Sequence, residues 1–145
     1  MSLKGPFLPP KASYLPPYTL VLDMDDTLLF CDQAQDDSIR IYRRPGLSLF
    51  LEEMSHLFEI VVFTAANQDY ADTVIDSLKD CNFYISHRLY WDHITVSENV
   101  SEGGVSNTQA ISYYKDLSKI GRDLSKTIIV DNIAENYQLQ PQNGI

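Results

Sequence analysis

Residues 18–30 read YTLVLDMDDTLLF, and this stretch decides the fold. Four apolar or β-branched residues, 19–22, run without polar alternation and end at Asp23, with Asp25 and Asp26 close behind. An unbroken apolar run of this kind is typical of a strand that is buried on both faces in a parallel sheet. Ligands of open α/β sheets bind just beyond the carboxyl ends of such strands. We therefore predict that the three carboxylates mark a functional site.

Carboxylates at the end of a buried strand need compensation, because burying an unpaired charge costs roughly several kcal/mol. A hard divalent cation such as Mg²⁺ supplies it, and proteins hold Mg²⁺ with one or two carboxylates together with substrate phosphate oxygens. A capping cluster at a strand–helix junction is the structural alternative, but it accounts less well for three acids after one buried strand. The pattern favours magnesium and phosphate chemistry.

Length, charge and cysteine content narrow the class of protein. The chain of 145 residues fits one domain, and it has no apolar run long enough to predict a membrane span or a signal peptide. The net charge of −9 argues against general nucleic-acid binding, which needs a basic surface. Cys31 and Cys81 lack metal-ligand spacing and are expected to be free thiols, which predicts an intracellular location.

Strands and helices are predicted to alternate along the chain. Residues 1–17 hold five of the seven prolines and are predicted to form an extended leader that lies along the domain or stays loose. The apolar patterns after it predict strands at 39–42, 59–64 and 127–130, and helices from Pro45-Gly46 and from Asn67 to about 78. Strands joined through helices form right-handed βαβ units, so a parallel sheet is expected.

The remaining segments are predicted from composition: a polar turn at 31–39, short strands at 83–85 and 88–91, a polar loop at 97–109, and a short helix at 113–120. That helix would carry Lys115. The residues after 127–130 predict no closing strand and helix, so we expect the domain to be truncated at its C-terminus.

Polar side chains stand at the ends of the predicted strands: Asp23 and Asp25, then Thr64, then Asp131 and Asn132. Parallel neighbouring strands would bring them to one edge of the sheet, with Lys115 entering shortly before the last strand. A carboxylate at Asp23 can attack phosphorus and form an aspartyl-phosphate, while Asp25 can protonate the leaving oxygen and later deprotonate water. Lys115 and Thr64 can hold the phosphoryl oxygens.

These residues carry a specific resemblance. DMDDTLLF at 23–30 resembles the DxDxT signature of the haloacid-dehalogenase superfamily. Further segments resemble the small C-terminal-domain phosphatases and NLI-interacting-factor-like proteins: RRPG at 43–46, EIVVFTAAN at 59–67, YADTVIDSL at 70–78, YYKDLSKIGRDLSKTIIVDN at 113–132 and QPQNGI at 140–145. The resemblance covers residues 18–145. It implies an α/β, haloacid-dehalogenase-like fold, a Rossmann-type parallel sheet with helices on both faces and a small insert instead of a large cap.

The resemblance also implies a function. It predicts a Mg²⁺-dependent phosphoserine/phosphothreonine protein phosphatase that is nuclear or cytoplasmic and acts on a phosphoprotein loop or tail. Asp23 would be the nucleophile and Asp25 the acid/base, with Thr64 and Lys115 binding phosphate. The magnesium ligands would be Asp23, the backbone carbonyl of Asp25, and Asn132. Thr27 and Asp131 are expected to support them.

A second branch of the same family is the import receptor of the mitochondrial TIM23 translocase. Members of that branch often show a proline-rich lead-in and an ending such as LQPQNGI, and many have lost the catalytic aspartates. This branch would place the protein at the mitochondrial inner membrane. A receptor has no physical need for the DxDxT motif, so the intact Asp23 and Asp25 favour catalysis.

Two departures from the small phosphatases concern substrate recognition. The insert before the RRPG turn is shorter, with only residues 28–42 available, whereas the loop at 97–112 is longer than usual. Trp91 stands where those enzymes commonly have an arginine. We consider Trp91 and Arg44 candidate residues of the substrate rim.

Overall fold

A computed structural model describes residues 3–99 and 110–145. The described residues form eight strands: β1 Tyr18–Leu22, β2 Leu29–Gln33, β3 Ile39–Arg43, β4 Phe58–Phe63, β5 His87–Leu89, β6 Thr95–Asn99, β7 Ala110–Tyr114 and β8 Thr127–Val130. They also form two α-helices, α1 Leu47–Ser55 and α2 Gln68–Ser77. Short 3₁₀ helices lie at Asn82–Tyr84, Trp91–His93, Leu117–Lys119, Leu124–Lys126, Ala134–Tyr137 and Pro141–Asn143.

Four strands form the central parallel sheet, in the order β5-β4-β1-β8. The strand that precedes the acidic motif is central, and Leu22 at its end pairs with Val62 on one side and with Val130 on the other. Because the three strand ends are in register, the residues that follow them emerge at the same edge. The predicted parallel sheet is confirmed, and β8 has the predicted bounds.

The two faces of the sheet are covered by different elements. Helices α1 and α2 pack on one face, where side chains such as Leu20, Ile60 and Val74 are buried in one core cluster. The opposite face buries Val21 and Ile129 in a second cluster, which is completed by short 3₁₀ helices and by the leader. Helices therefore cover both faces, but the α-helices lie on one of them.

The leader lies along the domain. Phe7 and Leu8 donate backbone hydrogen bonds to the carbonyls of Lys119 and Ile120, at 2.8 and 3.1 Å. The Leu8 side chain is buried, so the leader contributes to the second core cluster. Gly121 permits this close approach, because its φ is +83° and a Cβ there would stand 2.8 Å from the Cβ of Pro6.

Outside the central sheet, several predicted elements were wrong. Residues 83 and 84 lie in the 3₁₀ helix Asn82–Tyr84 instead of a strand, and Ile85 follows that helix. Residues 113–120 begin in β7 and continue into a 3₁₀ helix instead of forming an α-helix. The polar turn at 31–39 and the polar loop at 97–109 were predicted partly wrongly as well, since 31–33 belong to β2 and 97–99 to β6. In 110–114 the aromatic and β-branched side chains favour a strand, whereas the helical prediction rested on the apolar residues further on. The rest of the predicted 97–109 loop lies outside the described residues.

No helix in the described parts of the chain is long and apolar enough to cross a membrane.

Candidate active site

Asp23 is the first residue beyond β1, and its carboxylate is held at both oxygens. Its backbone N–H donates to the Val130 carbonyl at 3.0 Å, which continues the sheet by one residue. Oδ1 accepts a hydrogen bond from Lys115 Nζ at 2.8 Å, and Oδ2 accepts one from Thr27 Oγ1 at 2.8 Å. The side chain retains a small exposed fraction, 10%. Asp23 is therefore fixed in orientation but still accessible.

Lys115 follows β7, and its side chain is completely buried. Its ammonium lies 2.8 Å from Asp23 and 2.6 Å from Asp131 Oδ2, so two carboxylates compensate one buried cation. A lone lysine in sequence is usually exposed, and only the motif context singled this one out. The ammonium is thus held directly beside the Asp23 carboxylate.

Asp131 receives further support that the sequence did not indicate. Asn136 Nδ2 donates to both carboxylate oxygens of Asp131, at 3.1 Å each, and the Ile133 N–H donates to Oδ1 at 2.9 Å. The carbonyl of Asn136 also accepts the backbone N–H of Lys115 at 2.7 Å. Asn136 therefore links the two charged residues. Its sequence context, an amide five residues after a strand-end acid, is too common to have signalled this role.

Asp25 lies two residues beyond Asp23 and is half-buried. Its Oδ1 accepts a hydrogen bond from the Tyr70 hydroxyl at 3.1 Å. Burial raises the pKa of the Asp25 carboxyl, and the nearby charges of Asp23 and Asp26 add to a rise that outweighs the Tyr70 hydrogen bond. Sequence reasoning did not indicate this contact, because nothing local to Tyr70 points to a partner 45 positions away.

Thr64 follows β4 and is buried at the same edge of the sheet. Its Oγ1 accepts the N–H of Ala66 at 3.1 Å, which leaves the hydroxyl proton free to donate. Helix α2 begins just after this turn, where Asn67 Oδ1 accepts the N–H of Tyr70 as predicted. A phosphoryl oxygen at this point would meet the Thr64 hydroxyl.

The acidic motif itself forms a tight turn. Asp26 has a φ of +63°, in the left-handed region that aspartate tolerates better than most residues. Arg44 contacts this turn, and its Nε donates to the Thr27 carbonyl at 2.7 Å. Arg44 and Thr27 also line a cavity of about 370 Å³, which continues to Asp131 and Asn132. The guanidinium predicted for the substrate rim thus contacts the backbone of the motif.

Trp91 lies beside the Thr64 turn. Its backbone N–H donates to the Ala66 carbonyl at 2.9 Å, and its indole packs on Tyr113 with ring centroids 5.3 Å apart. The side chain is 42% exposed. The structure therefore places an exposed aromatic pair next to the predicted phosphate-binding threonine.

Comparison with known proteins assigns the family. The NLI interacting factor-like phosphatase family matches residues 18–145. The chain belongs to this family. This membership confirms the resemblance that the DMDDT motif carried.

The chain is similar to relatives from both predicted branches of the family. CTD small phosphatase-like protein 3 of Caenorhabditis elegans is 38% identical over 97% of this chain, which spans 50% of that protein. The mitochondrial import inner membrane translocase subunit TIM50 of Candida glabrata is 34% identical over 94% of this chain, which spans 26% of that subunit. The chain thus spans half the length of these relatives or less.

The fold of this NLI interacting factor-like protein is also similar to a solved structure. The fission yeast RNA polymerase II CTD phosphatase Fcp1, in a structure bound to beryllium fluoride, superposes with a TM-score of 0.58 at 19% identity. The match covers 88% of this chain and 40% of that one. Together with the parallel sheet it confirms the haloacid-dehalogenase-like α/β fold. The insert consists of the antiparallel β2–β3 hairpin instead of a large cap.

Two of the oxygen atoms predicted to hold Mg²⁺, one from Asp23 and one from Asn132, lie beside the Thr27 hydroxyl. Its Oγ1 is 2.8 Å from Asp23 Oδ2 and 3.5 Å from Asn132 Oδ1. A carboxylate, an amide oxygen and the Asp25 carbonyl are the hard ligands that Mg²⁺ prefers, so the residues fit the ion. No cluster of three or more His, Cys, Asp or Glu suited to a metal occurs within residues 3–99 and 110–145. A site with one carboxylate side chain would not form such a cluster.

Proposed function

We propose that this chain is a Mg²⁺-dependent protein phosphatase for phosphoserine and phosphothreonine, acting through an aspartyl-phosphate. One observation carries the proposal: Asp23 is fixed by Lys115 and Thr27, and a second carboxyl, Asp25, stands two residues away in contact with a hydroxyl donor. A fixed nucleophile beside a separately held acid is what phosphoryl transfer in two steps requires.

In the first step an Asp23 oxygen attacks phosphorus, and the bond from phosphorus to the serine or threonine oxygen breaks. Asp25 gives its proton to that leaving oxygen, so the product is a neutral alcohol. The raised pKa of Asp25 supports this role, because it increases the fraction of the acid form. Lys115 and Thr64 donate to the phosphoryl oxygens as their charge is redistributed.

In the second step water attacks the phosphorus of the aspartyl-phosphate. Asp25 takes a proton from that water, and the bond between Asp23 and phosphorus breaks to release phosphate. Lys115 Nζ, 2.8 Å from Asp23 Oδ1, would hold the released carboxylate in place for the next cycle. A bound Mg²⁺ would neutralise phosphoryl charge, and Asp23, the Asp25 carbonyl and Asn132 would hold it.

The substrate class follows from the small insert. A two-stranded hairpin cannot enclose a small molecule, whereas an exposed phosphorylated loop or tail can reach an open edge of the sheet. The relatives named as CTD small phosphatase-like proteins support this choice. We expect such an enzyme in the nucleus or cytoplasm.

An import-receptor subunit is the second candidate, favoured by the 34% identity to the Candida glabrata TIM50 subunit. The buried contacts of Lys115 with Asp23 and Asp131 favour catalysis, since a docking surface does not need a buried cation between two carboxylates. A folded chain that hydrolyses no phosphate ester in the presence of Mg²⁺ would support this candidate instead.

Hydrolysis of a phosphoserine peptide and of p-nitrophenyl phosphate, with Mg²⁺ and with EDTA, tests the proposal. We expect metal-dependent turnover of both, and its loss in Asp23→Asn. Asp26→Asn is the matched control, because it removes an exposed acid of the same motif at a position where asparagine also tolerates a positive φ. Turnover in the Asp23→Asn variant close to that of the control would refute the nucleophile assignment.

A further inference from the structure

A phenol hydroxyl from helix α2 reaches the acidic motif. Tyr70 lies in the first turn of α2, and its backbone is fixed by the Asn67 cap at 2.9 Å. Its hydroxyl donates to Asp25 Oδ1 at 3.1 Å. Within the described parts of the chain, no other side chain donates a hydrogen bond to Asp25. The contact therefore joins the first turn of a helix to a residue in a loop.

We propose that Tyr70 is a positioning residue that orients the Asp25 carboxyl for proton transfer to the leaving oxygen. The inference rests on the proposed function, in which Asp25 protonates that oxygen. Because the Tyr70 hydroxyl donates to Oδ1, this oxygen acts as the acceptor and the proton of the acid form resides on Oδ2. One oxygen is anchored to the helix, and the other is left for the substrate.

Over the two steps Asp25 loses one proton and regains one. As the bond between Asp23 and phosphorus forms and the bond to the leaving oxygen breaks, the proton moves from Asp25 Oδ2 to the leaving oxygen. In the second step the same oxygen takes a proton from the attacking water, and phosphate departs as the bond to Asp23 breaks. Tyr70 keeps its own proton throughout and gives none to the substrate.

The anchor matters because Asp25 lies in a turn and not in a regular element. The residue after it, Asp26, has a φ of +63°, and the Asp25 carboxyl has no second side-chain donor among the described residues to restrict its rotation. Proton transfer is efficient only when donor and acceptor are held at hydrogen-bond distance in the reacting complex. A hydroxyl fixed by a capped helix supplies that restriction.

The test compares two substrates that differ in their need for a proton. The nitrophenolate leaves readily without one, whereas the serine alkoxide does not. For Tyr70→Phe we expect kcat/KM on a phosphoserine peptide, which reports the steps up to departure of the leaving oxygen, to fall by roughly tenfold or more, since general acid catalysis contributes factors of that order and above. On p-nitrophenyl phosphate we expect a clearly smaller fall in kcat/KM, because its first step needs no proton, while the slower second step should lower kcat on both substrates alike.

Tyr90→Phe is the matched control. It removes a hydroxyl that donates to Asp72 Oδ1, a carboxylate of the same helix α2, at 2.6 Å. The control should affect the two substrates equally, and circular dichroism should show both variants folded. Equal losses in kcat/KM on both substrates for Tyr70→Phe, or no loss on either, would overturn the inference while leaving the proposed function intact. A parent protein that hydrolyses neither substrate would overturn the proposed function itself, and the inference with it.

Discussion

Lys115 Nζ lies 2.8 Å from Asp23 Oδ1 and is completely shielded from solvent. The pair joins a residue after a central strand to one that follows a separate hairpin, 92 positions later. A buried cation is tolerated only when nearby carboxylates compensate it, and Asp131 completes that compensation. The arrangement therefore stabilises the fold, and in the proposed function it would also orient the nucleophile and a phosphate-binding cation.

Replacing Lys115 with methionine is expected to remove both effects. Asp23 and Asp131 would lose their shared counter-charge, so the free energy of unfolding should fall by about 3–5 kcal/mol. Turnover should be lost as well. Urea unfolding measures the first effect, with Lys126→Met as a control at an exposed lysine. A Lys115→Met variant as stable as this control would contradict the buried ion-pair account.

The opposite end of the sheet contains a second buried charge whose effect depends on pH. Glu59 is fully buried and accepts two hydrogen bonds from Arg122, at 2.8 Å each. Burial alone would raise its pKa, but the hydrogen bonds and charge of Arg122 lower it below the ordinary value of 4.5. A lowered pKa contributes stability that is present above 4.5 and is lost as pH falls through the folded-state value.

Urea unfolding between pH 7 and pH 3 checks this pH dependence. We expect the free energy of unfolding to decrease below about pH 4.5 more steeply in the parent than in Glu59→Gln, because the amide does not titrate. The comparison cancels the contributions of the other carboxyl groups. Identical slopes for the two proteins would show that Glu59 has the same pKa in the folded and unfolded chain.

Substitution of Asn132 tests the metal ligands. Asn132→Ala removes the amide oxygen near Thr27, so we expect the Mg²⁺ concentration for half-maximal activity to rise by roughly tenfold or more. Binding of Mn²⁺, followed by its paramagnetic relaxation of water protons, gives a readout independent of turnover. Ca²⁺ should inhibit the parent, because the larger ion can engage both oxygens of Asp23. Full activity in EDTA would refute the metal requirement.

Trp91 tests how the substrate is recognised. A tryptophan offers a stacking face and one N–H donor, whereas an arginine would offer several charge-assisted hydrogen bonds. We expect Trp91→Arg to raise kcat/KM on phosphorylated, proline-rich peptides by about tenfold, or about 1.4 kcal/mol of transition-state binding. The effect on p-nitrophenyl phosphate should be much smaller. A similar change on both substrates would show that Trp91 acts through the fold instead of the substrate.

The sequence predicted those parts of the structure that depend on local patterns. The strands β1, β4 and β8 each contain a run of apolar or β-branched residues, and the motif residues that follow these strands lie at one edge of the sheet. The element that carries Lys115 was predicted wrongly, because the aromatic residues of β7 pair with β6 and override a weak helical pattern.

The contacts of Tyr70 and Asn136 could not be predicted either. Tyr70 meets Asp25 only after the parallel sheet brings the start of α2 beside the end of β1. Asn136 contacts Asp131 because it lies in a 3₁₀ helix, which no sequence pattern predicted. Both contacts depend on tertiary geometry, whereas the residues they support were visible as a motif.

The most direct test of the central claim is to locate a trapped phosphoryl group. In Asp25→Asn, p-nitrophenyl phosphate can still transfer its phosphoryl group, because the nitrophenolate needs no proton, but the water of the second step lacks its base. Acid quenching and peptide mass spectrometry should then find the phosphoryl group on Asp23. A phosphoryl group on any other residue, or steady turnover in Asp25→Asn with no covalent intermediate, would contradict the account.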